Sequence, residues 1–389
     1  MTGKRKTCLW MAVALLLAIP MLVGCHGRPA QVPRPQSQTL TIGYVLPLSG
    51  RGADYGDVQQ KAITLALDEL NRDRKWVSVI YEDSQLDPAK ALTAAERLVS
   101  VSKVNVLFTF SSGETLAVAG LAKRSGILQV APMASSIELD RVGDNLIRLA
   151  PSDAAQAEEL AKVVGQLGHK SAAIIHVNDV WGKGLAQAFE RSFAAAGGTV
   201  VANELCEPGA TDFRAQLTKI KSQSPEVLFL PVHPDEALPI LRQAKDMGLK
   251  SQVFGGDTFS NQAVYADKSG LANGVIFALP AESDTEAWRS FASLYKSRYG
   301  TQPDINAAAA YDAVKVVARA ASTAGSYRGT DLRKSIIAEV KDYEGATGRF
   351  SFSPAGIAVD KRYSVFVVKA GAYKPFEVPR PSEGGRSNG

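Results

Sequence analysis

From residue 40 to residue 378, short apolar runs alternate with longer stretches whose apolar residues recur every three or four positions. The first pattern suits strands buried on both faces; the second suits helices with one apolar stripe. A chain that keeps alternating in this way packs its helices on the two faces of parallel sheets. Apolar runs at 40–47, 77–81, 106–110, 127–130 and 147–149 are strands of a first series, with helices at 55–72, 87–101 and 114–124 between them. Runs at 172–177, 199–205, 227–230, 252–254 and 275–279 form a second series, with helices at 154–167, 181–196, 212–222 and 234–247. Helices at 285–299, 307–324 and 329–340 and short strands at 350–352 and 363–368 follow. Two such series predict two α/β lobes, and 46% hydrophobic residues in a chain of 389 supply a core for each. Asp87 ahead of Pro88 marks one helix start, and Asp212 is the expected cap of another.

The stretch 106–140 carries the clearest chemistry. One strand ends in Ser111-Ser112-Gly113 just before a helix, and the next delivers Ala131-Pro132-Met133-Ala134-Ser135 before a turn. Free N–H groups and the positive end of a helix dipole gather at such a place, which suits a carboxylate. In an open parallel sheet, ligands sit at the carboxyl ends of strands. Gly255-Gly256-Asp257 ends a strand of the second series in the same manner. On local sequence alone, Ser111 and Ser135 equally fit a cap and a turn, Asp257 an Asx turn, and Trp181 a packing residue at a helix start.

The amino terminus reads as an export signal over 1–24. It has Lys4-Arg5-Lys6, an apolar run over 8–23 and a small residue at the cut. Leu22-Val23-Gly24-Cys25 resembles the bacterial lipobox, which implies cleavage before Cys25 and acyl chains on it, enough for a stable tether. Residues 25–38, rich in Pro and Gln, form a spacer, and 379–389 a disordered tail. Of three cysteines, Cys8 leaves with the signal and Cys25 carries lipid. Cys206 is left without a partner, and its strand-like surroundings make it a packing residue.

Other chemistries lack their residues. With 44 basic and 39 acidic residues and no basic block, nucleic-acid binding has no support. The four histidines, 26, 169, 176 and 233, show no metal spacing. Gly182-Lys183-Gly184 has neither the third glycine of a dinucleotide loop nor the upstream glycine of a P-loop. No Gly-x-Ser-x-Gly elbow is present. No cofactor, metal or enzymatic activity is expected.

The ordered segments 42–57 (IGYVLPLSGRGADYGD), 81–91 (YEDSQLDPAKA), 111–116 (SSGETL), 129–140 (QVAPMASSIELD), 176–186 (HVNDVWGKGLA), 233–249 (HPDEALPILRQAKDMGL) and 254–261 (FGGDTFSN) extend the comparison to nearly the whole mature chain. In order and spacing they resemble the Leu/Ile/Val-binding family of type I periplasmic solute-binding proteins of ABC importers. The resemblance implies two doubly wound parallel-sheet lobes joined by three hinge crossings, with ligand in the cleft. Lobe 1 would comprise 39–151 and 279–349, and lobe 2 152–278 and 350–378. It also implies that Ser111 and Ser135, with the backbone at Met133 and Ala134, meet a carboxylate. Asp257 would meet an α-ammonium, with Tyr55 beside the ligand and Trp181 as a lid. Family aromatics fall on Val232 and near Asn306, so the side-chain pocket differs from the leucine type. The two first-lobe cysteines of the family fall on Leu86 and Phe110.

The resulting expectation is a monomeric lipoprotein of the cell envelope that captures an α-amino acid, apolar, branched-chain or aromatic, and passes it to a membrane ABC permease. Two alternatives stay open: a lipoprotein of the same fold acting on a protein partner, and a binder of a non-amino-acid carboxylate or amide.

Overall fold

The computed structural model describes residues 39–280 and 285–379. The export segment 1–24, Cys25, the spacer up to 38 and the tail from 380 lie outside the described residues. Among the described residues, no helix is long and apolar enough to cross a membrane.

The first lobe begins with β1 (Leu40–Leu46), α1 (Ala53–Leu70), β2 (Val77–Asp83), α2 (Pro88–Ser100), β3 (Val106–Thr109), α3 (Ser112–Arg124), β4 (Leu128–Ala131) and β5 (Leu146–Arg148). Its five strands are all parallel, in the order β2-β1-β3-β4-β5. β3 and β4 are buried at every residue, as continuous apolar runs require. α2 starts where Asp87 accepts the N–H groups of Ala89 and Lys90.

The second lobe takes α4 (Asp153–Gln166), β6 (Ser171–Val177), α5 (Val180–Ala195), β7 (Thr199–Cys206), α6 (Arg214–Gln223), β8 (Val227–Leu230), α7 (Pro234–Asp246), β9 (Gln252–Gly255), α8 (Gln262–Tyr265) and β10 (Ile276–Pro280). The chain then returns to the first lobe through α9 (Glu286–Tyr299), α10 (Ile305–Ala324) and α11 (Gly329–Glu339). A small antiparallel sheet follows, made of β11 (Tyr343–Gly345), β12 (Gly348–Phe352) and β13 (Ala358–Val359). β14 (Tyr363–Lys369) and β15 (Ala372–Pro375) complete the second sheet, whose order is β15-β14-β10-β9-β8-β6-β7. β6 to β10 are parallel; β14 and β15 form an antiparallel hairpin on the β10 edge.

Two details differ from the expected boundaries. Phe350, Phe352 and Ala358 pack into the first core, not the second, so the last crossing follows Val359 and not residue 349. The cause is a hairpin: β12 pairs with β11 and β13, and Phe350 packs beside Tyr343 under the first lobe's helices. The strand pattern at 350–352 does not say which sheet receives it. β10 also keeps Leu279 and Pro280 in the second lobe, so that crossing starts later than residue 279.

The lobes are joined at 149–152, after β10, and at 360–362. Lys361 ties two of these crossings together. Its Nζ donates to the Leu149 carbonyl (3.0 Å) and to Thr347 Oγ1 (2.9 Å), and lies 4.4 Å from the Phe350 ring centre. Burial lowers its pKa to about 8, and the nearby Asp312 carboxylate opposes that shift.

Candidate functional site

The carboxyl ends of both parallel sheets face one another, and a cavity of about 370 Å³ lies between them. The first lobe lines it with loops after β1 (Arg51, Tyr55), β2 (Leu86, Pro88), β3 (Phe110 to Gly113) and β4 (Met133). The second lobe contributes loops after β6 (Asn178 to Trp181), β7 (Pro208), β8 (His233) and β9 (Asp257 to Ser260).

Ser111 is the N-cap of α3 in a reciprocal capping box. Its Oγ accepts the Glu114 N–H (3.3 Å), and its own N–H donates to the Glu114 carboxylate (2.7 Å). The Ser111 hydroxyl also bonds the Glu114 carboxylate, which opposes the upward shift that burial gives that group. Ser112 and Gly113 carry the first N–H groups of the helix, which have no intrahelical acceptor. This corner therefore presents helix-end N–H groups to an anion.

Asp257 faces the cavity from the second lobe on a short 3-10 turn (Asp257–Ser260). The turn is pinned by Ser260 Oγ donating to the Asp257 carbonyl (2.7 Å) and Thr258 Oγ1 donating to the Val232 carbonyl (2.6 Å). Asp257 Oδ1 is buried and has no hydrogen-bond partner among the described residues. Burial pushes its carboxyl up to about 6; hydrogen bonds from its own turn and the nearby His233 oppose that. A buried carboxylate of this kind gains most from a cation brought to it.

Trp181 stacks on His233, with ring centres 5.2 Å apart and planes at 29°. His233 Nε2 lies 2.7 Å from Asp179 Oδ2, whose Oδ1 accepts the Gly182 N–H. A Cβ on Gly256 would come 3.0 Å from the Trp181 ring, which would have to shift by a few tenths of an ångström. Tyr55 tilts against Phe110, with centres 5.3 Å apart.

Of the residues expected from sequence, Tyr55, Ser111, Met133, Trp181 and Asp257 line this one cavity. Ala134 and Ser135 do not. Ala134 is buried among Ala131, Leu139 and Leu146. Ser135 is buried, with its carbonyl accepting the Asp153 N–H (2.9 Å) and its side chain beside the Asp153 carboxylate. Leu86 and Phe110 both form apolar wall. Asn306 also lines the cavity, whereas Val232 is packed in the second core.

Residues 39–372 match the model of the family described as periplasmic binding protein. The chain belongs to that family. It is 29% identical over 340 residues to a Leu/Ile/Val-binding protein of Rhizobium johnstonii, covering 85% of this chain and 92% of that one. It is 26% identical over 340 residues to a leucine-, isoleucine-, valine-, threonine- and alanine-binding protein of Pseudomonas aeruginosa, covering 85% and 90%. Among solved structures, the branched-chain amino-acid transporter substrate-binding protein LivJ of Streptococcus pneumoniae, in complex with isoleucine, superposes with a TM-score of 0.78. Its identity is 29%, over 88% of this chain and 100% of that one. The two-lobed fold is thus the family's, and a periplasmic binding protein holds a solute without transforming it.

Sequence reasoning missed several residues of this binding protein's cleft, among them Arg51, Asp179 and His233. Each follows a parallel strand within a few residues, which is the signal that could have found them.

Proposed function

We propose that this chain is the extracytoplasmic solute-binding component of an ABC importer, and that it captures an α-amino acid by closing its lobes. One observation carries the reading. Asp257, whose Oδ1 is buried and unpartnered among the described residues, and the anion-accepting corner at Ser111 to Gly113 line the same cavity, one from each lobe. That pairing suits a zwitterion, whose ammonium and carboxylate need opposite partners. The Leu/Ile/Val-binding relatives and the isoleucine-bound neighbour support the same ligand class. Contacts between the lobes suit hinge closure: Asn261 Nδ2 donates to Asp54 Oδ2 (2.6 Å), and Ser136 Oγ donates to the Val180 carbonyl (3.1 Å).

The test is a thermal-shift panel of proteinogenic amino acids and their deaminated acids, run on the wild type and Asp257→Asn. A shift with amino acids that is lost in Asp257→Asn supports the reading. Equal shifts with the deaminated acids, surviving the substitution, would sink it. We further propose that Cys25 carries the lipid tether, on the strength of Leu22-Val23-Gly24-Cys25. Cys25→Ala should then move the protein from the membrane fraction to the soluble one.

A further inference from the structure

The loops that line the cavity span more than a leucine side chain does. On the second lobe its lining runs from the loop after β9, through those after β8 and β6, to Pro208 after β7. Those four strands are consecutive neighbours, so the span is about 14 Å at ~4.8 Å per strand. The first lobe repeats it, from Met133 after β4 across β3 and β1 to Leu86 after β2. A leucine side chain reaches only about 4 Å from its Cα, at ~1.5 Å per bond.

The two ends of this cavity differ in charge. Asp257 stands at the β9 end. Arg51 faces the β7 and β8 end, where its Nη1 lies 3.7 Å from Glu236 Oε1. That oxygen already accepts the Gly209 N–H at 2.6 Å, and Oε2 accepts the His233 N–H at 3.1 Å. Glu236 is thus satisfied by backbone, and Arg51 Nη1 is buried without a hydrogen-bond partner among the described residues. Among the described residues Arg51 is the one arginine or lysine lining the cavity, and Asp87 and Asp179 line it nearby. A basic side chain would meet Arg51, and an acidic one would meet the two aspartates and buried Glu236. An uncharged oxygen suits the guanidinium without either conflict.

Resting on the amino-acid reading above, we propose that the ligand is longer than leucine and ends in an uncharged oxygen acceptor, a carboxamide, ureido or phenolic group, which Arg51 holds. Arg51 is then a specificity-determining residue of the cleft, contributed by the loop between β1 and α1.

Calorimetry tests this on purified protein freed of co-purified ligand by unfolding and refolding. The probes are leucine, glutamine, citrulline, tyrosine, glutamate and lysine. At least one of glutamine, citrulline and tyrosine should bind about tenfold tighter than leucine, as one hydrogen bond to a charged group allows. Arg51→Met should bring that ratio close to one, and Arg51→Lys should restore part of it. Leucine binding as tightly as every longer probe overturns the proposal and leaves the amino-acid reading intact. So does a preference for glutamate or lysine. Arg51→Met weakening leucine and the longer probes by one common factor also overturns it, because Arg51 would then serve only lobe contact through Glu236. Binding of none of the six removes both this proposal and the reading beneath it.

Discussion

In the proposed site, Asp257 sets both affinity and its pH dependence. In the ligand-free fold its carboxyl titrates near 6, above the ordinary 3.8, because burial penalises the charged form. His233 opposes that upward shift, while Asp153, fully buried nearby, has its own carboxyl pushed up by burial and by Asp257. An ammonium ligand needs Asp257 ionised. Amino-acid affinity should therefore be flat above about pH 7 and fall roughly tenfold per unit below about pH 6. Titration calorimetry between pH 5 and pH 8 checks this, and a flat profile would exclude Asp257 as the ammonium partner. Stability runs the opposite way. The penalty is absent below the unfolded value, grows between about 3.8 and about 6, and is complete above. Asp257→Asn should thus stabilise the ligand-free protein at pH 8, by on the order of 2 kcal/mol, and do little at pH 4. At the same scale, burial pushes the Cys206 thiol up to about 12. It should resist thiol reagents at pH 8 until the protein unfolds.

At the scale of elements, close approach of helix and strand fixes the cleft loops. α1 begins against the end of β1, and a Cβ on Gly56 would stand 1.9 Å from the Pro47 carbonyl oxygen. Gly56→Ala should cost about 3 kcal/mol or more, seen as a lowered melting temperature, and displace Tyr55 and Arg51. Gly165 in α4 has nothing within 4 Å of such a Cβ. Gly165→Ala should instead stabilise by up to about 1 kcal/mol, from helix propensity. Equal effects of the two substitutions would contradict this packing. Most elements were legible because buried parallel strands are unbroken apolar runs, as in Val227–Leu230. The start of α6 was not. Buried Phe213 donates its N–H to Gln243 Oε1 (2.8 Å), and the helix opens at Arg214, so Asp212 stands one residue outside the N-cap position, where its Oδ1 still accepts the Arg214 N–H (3.1 Å). Tertiary packing of Phe213 shifted the helix start past its cap residue. β11, β13 and β15 also escaped notice, since strands this short exist only through their hairpin partners.

At the scale of the molecule, closure depends on contacts that exist only when the lobes meet. The Asn261–Asp54 hydrogen bond is one, and the Arg51–Glu236 ion pair another. Asn261→Ala should raise the ligand's dissociation rate about two- to fivefold, the worth of one partly exposed bond. Stopped-flow measurements check this, and an unchanged rate would mean the contact does not hold the closed form. The sequence by itself determined two α/β lobes and the strand ends that carry Ser111, Met133 and Asp257. It could do so because apolar periodicity and strand-end residues are local, and because ordered motifs over nearly the whole chain matched one family. Only the tertiary structure decided that Phe350 belongs to the first core and that Arg51 and His233 line the cavity between the lobes. Those facts depend on which sheet a strand joins and which loops stand opposite across the cleft. Both are settled by contacts between residues far apart in the chain, which no local pattern encodes.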